Sequence, residues 1–294
     1  MTRMLKEVLQ EKLDVTEIDR LSSSFDIIGS IAIIKIPETL SSKKKLIADT
    51  LIEEIKSVKT VFSQVSAIEG DYRLRKLEFL SGENTPITLY KEHGSTFKVD
   101  VINTYFSPRL STERLRISNL VSPDEVIVNM FGGVGTFSMV IARNNRSSKI
   151  YSIDSNPIAY DLCKENTEIN KLSNNVFPIL GDAKEIIPKK LRGIATRVLM
   201  PLPEKAKEFV DSAVSSLVNS KGIVHYFAHV GAKNKKNAIQ SALLDTTASF
   251  GDFNHIIKNI RVVREVGPRF YQIVSDVQVI GSASHLSRGA VAIV

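Results

Sequence analysis

The chain has no tryptophan and a single cysteine, Cys163. One cysteine excludes an intramolecular disulfide and any multi-cysteine metal site, and it fits a reducing compartment. Without tryptophan, any surface that stacks on a base must be built from Phe and Tyr. The five histidines are scattered and show no ligand spacing, so no metal site is expected. No apolar run is long enough to span a bilayer, and the start, MTRMLKEVLQEKLD, has no apolar stretch of the signal-peptide kind. A soluble, cytoplasmic protein with no membrane partner and no obligatory protein partner is expected. The sequence also lacks a GK[ST] phosphate loop and a regular G-x-G-x-x-G, and it has neither repeats nor low-complexity tracts.

What is present suits an ordinary globular protein. The 294 residues are 43% hydrophobic and 24% charged, enough for one large domain or two of usual size. A net charge of +7 permits a polyanionic partner without requiring one; solubility alone would account for it.

Residues 1–23 place charges and Leu/Val/Ile at helical spacing and predict an N-terminal helix. FDIIGSIAIIKIP (25–37) reads as one bent strand or two short strands around Gly29. A helix is expected from Ser41 or Ser42 to about Val58, with Leu46, Ile47, Leu51, Ile52 and Ile55 on one stripe. Residues 61–106 predict four short strands parted by turn signals. Among them YRLRKLEFL alternates, placing Arg73 and Arg75 on one strand face. A solvated sheet face explains this, and so does contact with phosphate or carboxylate. Beyond about residue 111, strands and helices alternate: strands at 125–131, 149–154, 176–180, 195–200 and 222–230, with helices at 111–120, 136–145, 156–170, 204–218 and 234–247. A hairpin around Gly267-Pro268 closes the series. The expected architecture is α/β: an α+β domain over 24–110, a doubly wound sheet with a terminal antiparallel hairpin over 111–280, and a frayed tail over 281–294.

VIVNMFGGVGTF (126–137) is a β-branched run, a glycine turn and the start of a helix. Taken alone, glycines at 132, 133 and 135 serve a tight connection as well as a ligand cradle. Asp154, about twenty residues on at the end of the next strand, is placed to accept hydrogen bonds from a ribose diol. Asp182 follows the third strand at the same sheet edge. Either acid alone reads as a cap or turn residue; with the glycine turn, in this order, they favour nucleoside binding.

The segments FDIIGSIAIIKIP, YRLRKLEFLSGE, YFSPRLSTER, MFGGVGTFS, YSIDSNPIAYDLCKENTEIN, PILGDA, RVLMPLPEKA, GIVHYF and RVVREVGPRFYQIVSDV carry a closer resemblance. Together, over residues 24–279, they resemble the archaeal and eukaryal tRNA (guanine37-N1)-methyltransferase family, including its wyosine-precursor branch. The resemblance implies a Rossmann-like class I methyltransferase fold and S-adenosylmethionine as cofactor. It implies tRNA, through its anticodon stem-loop, as substrate. It places the cofactor at Phe131, Gly132, Gly133, Gly135, Asp154, Asp182 and Met200. It makes Glu113 of RLSTER the base that removes the guanine N1 proton, with Arg73 and Arg114 beside it. It puts Arg75, Arg109, Pro201 and Pro203 against the substrate. Read from the residues alone, Glu113 is equally a first-turn acid after a Ser111 or Thr112 cap. With Arg109, Arg114 and Arg116 nearby, its pKa is expected to fall unless burial compensates.

Two departures bear on the substrate. The resemblance implies an Asn-Leu-Pro segment after the fourth strand, where the chain has Met200-Pro201-Leu202-Pro203. Proline offers no side-chain amide and no N–H, so the bound base is held by another group or is a tricyclic wyosine intermediate rather than guanine. The extra N-terminal domain of longer relatives has no counterpart here, which shifts expected recognition toward the anticodon stem-loop. Two alternatives remain: an aminocarboxypropyl transferase using the same cofactor, and an RNA-binding homologue without catalysis.

Overall fold

The structure, a computed structural model, describes residues 7–10, 12–21 and 25–282. The expected tail beyond Ser282 and parts of the expected first helix lie outside these residues. Within the described part that helix is interrupted. The element α1 (Val15–Arg20) starts anew at a capping box in which Asp14 and Glu17 exchange hydrogen bonds with each other's backbone. The chain divides into two compact units, with the division between Ser111 and Thr112.

In the first unit, β1 (Phe25–Ile28) and β2 (Ile31–Ile34) form a hairpin through Gly29, whose φ of +58° needs glycine. The segment is therefore two strands. The helix α2 (Lys44–Glu54) carries the chain from β2 to the parallel β3 (Thr60–Gln64). It buries Ile47, Ala48 and Leu51 in a core shared with Leu9, Leu13, Ile34 and Val61. Next come β4 (Leu77–Gly82), antiparallel to β3, and a separate hairpin of β5 (Ile87–Glu92) and β6 (Ser95–Asp100).

One expectation fails here. Residues 72–76 are not strand; β4 begins only at Leu77. Before it the chain makes a tight turn closed by the Glu69–Leu74 bridge, in which Arg73 adopts φ +56°. Arg73 and Arg75 thus share no strand face. The period-two polarity of this stretch belongs to a loop preceded by Gly70-Asp71.

The second unit opens with α3 (Ser111–Asn119), whose first residue still belongs to the first unit, and is built on a seven-stranded sheet. Its strands are β7 (Val126–Asn129), β8 (Lys149–Asp154), β9 (Val176–Leu180), β10 (Arg197–Met200), β11 (Gly222–Gly231), β12 (Phe253–Gly267) and β13 (Phe270–Ser282). The order is β12-β13-β11-β10-β7-β8-β9, all parallel except β13, which runs antiparallel to both neighbours. The chain starts at β7 in the middle, winds out through β8 and β9, then returns to β10 on the other side. Position β7/β10 is therefore the point where strand order reverses, and ligands of open α/β sheets bind at the carboxyl ends of strands there.

The helices α4 (Thr136–Asn144), α5 (Pro157–Ile169), α6 (Ala183–Ile186), α7 (Val210–Ser216) and α8 (Lys235–Ser249) cover the sheet. The single helix expected over 204–218 is a 3-10 turn at Ala206–Phe209 followed by α7. The strands β7 and β10 bury Val128 and Val198 completely, so the strand ends that carry polar groups are held on a rigid core. Among the described residues no helix is long and apolar enough to cross a membrane, and no cluster of His, Cys, Asp or Glu could hold a metal ion.

Candidate active site

The turn after β7 is built by contacts on both sides. The Gly132 N–H donates to the Ile153 carbonyl at 2.7 Å, drawing the turn against β8. A Cβ at 132 would collide with the Ser152 hydroxyl, and one at 135 would lie 2.8 Å from Cys163 Sγ and 2.9 Å from Met139 Cε. Gly133 and Gly135 also adopt left-handed φ values of +54° and +88°. Glycine at 132 and 135 is thus required by packing against β8, Cys163 and Met139.

Asp154 ends β8 beside this turn. Its Oδ2 accepts from the Gly133 N–H at 2.6 Å and its Oδ1 from the Asn156 N–H at 2.9 Å. Burial raises its pKa above the ordinary carboxylate value, with the two backbone donors opposing. Each oxygen keeps lone-pair capacity for a further donor, as binding of a vicinal diol requires. Asp182 follows β9 and caps α6, accepting from the Lys184 N–H at 2.7 Å. It does what a turn acid does, while its exposed side chain stays at the same sheet edge. Phe131 packs edge-on to Phe209 with centroids 4.9 Å apart, and the Lys184 ammonium sits 4.4 Å over the Phe209 ring.

The remaining expected ligand positions divide by exposure. The Met200 side chain is fully buried in the core, so what position 200 can offer a ligand is its main chain. Pro203 is also buried, while Pro201 is half-buried at the end of β10. The Leu202 carbonyl accepts from the Lys205 and Ala206 N–H groups, closing the turn that carries these prolines.

Glu113 lies in the first turn of α3 and is only 2% exposed. Its Oε1 accepts from Arg116 Nε at 2.8 Å. Its Oε2 is buried without a hydrogen bond and lies 3.5 Å from Arg261 Nε. The pKa is not lowered, because the exception allowed for burial is the one realised. Desolvation raises it, outweighing Arg116 and Arg261. Arg114 is 1% exposed, with its guanidinium 6.0 Å from the centre of the Phe137 ring.

In the first unit, Asp26 gathers two of the expected arginines. Arg109 Nε lies 2.9 Å from its carboxylate and Arg75 Nη1 lies 3.7 Å from it. Burial lowers the pKa of Arg75, with Asp26 opposing. Arg73, in its left-handed turn, lies 4.0 Å over the Tyr105 ring.

The sequence reading missed one set of groups. Arg116 pairs with Asp276, Asp276 with His225, His225 with Arg197, and Arg197 with Glu125. A histidine inside the apolar run GIVHYF and an aspartate inside IVSDV were the signals available, since a polar side chain in a buried strand needs a partner.

Comparison with known proteins fits this arrangement. Residues 88–248 match the TRM5/TYW2 methyltransferase domain, and residues 5–85 match the TYW2 N-terminal domain. The tRNA (guanine(37)-N(1))-methyltransferase Trm5b of Pyrococcus abyssi is 40% identical over 88% of this chain and 76% of that protein. The tRNA 4-demethylwyosine(37)-methyltransferase Taw21 of Saccharolobus solfataricus is 34% identical over 86% of this chain and 92% of its own. Among solved structures, aTrm5 in complex with tRNALeu superposes with a TM-score of 0.80 at 33% identity, covering 94% of this chain and 78% of that one. Pyrococcus horikoshii TYW2 in complex with MeSAdo gives 0.76 at 26% identity, covering 96% and 100%. The chain belongs to the TRM5/TYW2 methyltransferase family.

Proposed function

We propose that this protein is a cytoplasmic S-adenosylmethionine-dependent methyltransferase that modifies the guanosine-derived base at position 37 of tRNA, reached through the anticodon stem-loop. The observation that carries the reading is the pair of sites in the second unit: Asp154 tied to the glycine turn, and a buried Glu113 with one oxygen that accepts no hydrogen bond and has only the ion-pair contact with Arg261.

The residues fit the cofactor. Asp154 would hold the ribose hydroxyls, and the glycine turn at 132–135, drawn against β8 and Asp154, would lie against the ligand. Phe131 and Asp182 flank the same strand ends, and the main chain at 200 completes the set. When bound, S-adenosylmethionine supplies an electrophilic methyl group on a sulfonium.

Everything else falls to the chain. A purine N–H must lose its proton as the new bond forms, and a carboxylate with a raised pKa is a better base than an ordinary one. Glu113 takes this proton through Oε2, while Arg116 fixes Oε1. Arg114 adds positive charge close by, where negative charge develops on the base. In the first unit, Arg73 holds a backbone conformation that L-residues other than Asn and Asp rarely adopt, and such strain gathers at functional positions. With Arg75 and Arg109 it offers donors to phosphate or base. Pro201 stands where a base-reading amide was expected, which favours a base with a different edge from guanine and keeps the tricyclic wyosine intermediates within the substrate class; Pro203 keeps the expected proline.

A second reading, transfer of the aminocarboxypropyl group, is favoured by the match of residues 5–85 to the TYW2 N-terminal domain. Cofactor labelled separately in the methyl group and in the aminocarboxypropyl chain distinguishes the two. Methyl label in tRNA supports the first reading, aminocarboxypropyl label supports the second, and transfer of neither contradicts both.

A further inference from the structure

Glu113 does not stand alone in the second unit. It terminates a buried chain of side chains that crosses four strands of the sheet. From α3, Arg116 donates through Nε to Glu113 Oε1 at 2.8 Å and through Nη1 and Nη2 to both oxygens of Asp276, at 2.7 and 2.9 Å. Asp276 on β13 is the register partner of His225 on β11 and of Asn259 on β12. His225 Nδ1 lies 2.6 Å from Asp276 Oδ1, and the Asn259 amide donates to Oδ2 at 3.2 Å. Arg197 Nη1 lies 2.8 Å from His225 Nε2. An arginine can only donate, so Nε2 is an acceptor, Nδ1 carries the proton, and the imidazole is neutral. Arg197 is then clamped by Glu125 at 2.7 and 2.9 Å, near the opposite end of the strands.

Simple ion-pair burial does not require this arrangement. One Asp would neutralise Arg116. Here Asp276 receives donors from two further groups, His225 and Asn259, so its position is fixed by the sheet as well as by Arg116. It occupies one edge of the guanidinium and leaves a single edge for Glu113. The bidentate fork is geometrically strict, and lysine cannot reproduce it.

We propose that Asp276, fixed by His225 and Asn259, is a positioning residue for the reaction: it clamps Arg116 so that Arg116 orients Glu113 through one oxygen only and leaves the other to accept the substrate proton. The inference rests on the reading of Glu113 as the base. The charged groups that face Glu113 are Arg116 from its own helix, Arg261 from β12 and Asp276 from β13. The Asp276 charge opposes the two arginines and supports the raised pKa of Glu113. Removing it leaves Arg116 wholly to Glu113, which lowers the basicity of the carboxylate and releases its orientation.

The test is the pH profile of the single-turnover methyl-transfer rate for wild type, Asp276→Asn, Arg116→Lys and Glu113→Gln, with cofactor and tRNA dissociation constants measured alongside. For Asp276→Asn the expected result is a plateau rate lower on the order of 10–100-fold, as for a misplaced catalytic group. Its acid limb should move to lower pH, and both dissociation constants should stay within about 2-fold. Arg116→Lys keeps the charge but loses the fork, and should fall by a similar factor while remaining folded by circular dichroism. It carries the test if Asp276→Asn does not fold. A wild-type rate and acid limb in either folded variant, with Glu113→Gln inactive, overturns the positioning role and leaves Glu113 as base. Full activity of Glu113→Gln overturns the base itself, and the positioning role with it. A merely structural role for Asp276 would lower cofactor and tRNA binding along with the rate and leave the acid limb in place, which also overturns the proposal.

Discussion

The Asp154 carboxylate accepts the Gly133 N–H at 2.6 Å, so one side chain both closes the glycine turn and stands ready for a ribose. Asp154→Ala removes the ribose acceptor and the strut of the turn together. Loss of hydrogen bonds to a charged group is worth about 1.5–3 kcal/mol, or roughly 10–150-fold in affinity. Calorimetric titration with S-adenosylmethionine should show at least a 10-fold weaker complex. Unchanged affinity would remove Asp154 from the cofactor site.

Glu113→Gln keeps the shape of the side chain and the contact with Arg116 while abolishing the base. General-base loss costs about 10²–10⁴-fold in rate. Single-turnover methylation should fall within that range while tRNA affinity, measured by filter binding, stays within about 3-fold. The effect shrinks if the target is a tricyclic base with no proton to lose at the reacting atom, so its size also reports on the substrate.

Acidification should destabilise the second unit in two steps. Burial lowers the pKa of His225, with Asp276 opposing, so the unfolded chain binds a proton that the folded one refuses. Stability is therefore complete above the unfolded histidine value of about 6.5 and falls as pH drops below it. Asp276 is held well below the ordinary carboxylate range by His225 and Arg116, against the effect of burial. Its contribution is present above about pH 4 and is lost below that. Glu113 has the opposite sign: its raised pKa lets protonation restore a little stability as pH falls. Denaturant unfolding from about pH 7 to pH 5 should show the first step, and His225→Asn, which keeps a donor for Asp276 without the titration, should flatten it. An equal slope in both proteins would exclude His225 as its source.

Gly135→Ala forces a Cβ toward Cys163 and Met139 at a φ of +88°. Strain of this kind costs about 1–3 kcal/mol. Thermal unfolding should show a clear loss of stability, relieved in part by the double variant that also carries Cys163→Ala. A stability equal to wild type would mean that the turn relaxes without cost.

Arg109 pairs with Asp26 through one edge while half of its side chain stays exposed, leaving donors for phosphate. Arg109→Ala should weaken tRNA binding and reduce its salt dependence by about one phosphate contact. Binding with the same salt slope as wild type would assign Arg109 to a structural ion pair alone.

The sheet of the second unit was legible because its strands are short apolar runs, one followed closely by the glycine turn and one ended by an aspartate, and these two features also mark the site. VIVN, KIYSID and RVLM need no partner information to be read as buried parallel strands. The loop at 69–76 was not legible. Its alternation of polar and apolar residues imitates a strand, and only the left-handed Arg73 and the Glu69–Leu74 bridge reveal a turn. The clamp on Glu113 was hidden for a different reason. Arg116, Asp276 and His225 meet through tertiary structure, and ion pairs between residues far apart in sequence leave no spacing to read. The pKa of Glu113 was legible only as a condition, because the arginines show in the sequence and the burial that decides the direction does not.

The most direct measurement is the mass of the nucleoside at position 37 after the protein is incubated with S-adenosylmethionine and tRNA carrying either guanosine or a wyosine precursor there. Gain of one methyl group at position 37 in at least one of the two tRNAs is the predicted result. Gain of an aminocarboxypropyl group, a methyl group at another position only, or no change in either tRNA would contradict it.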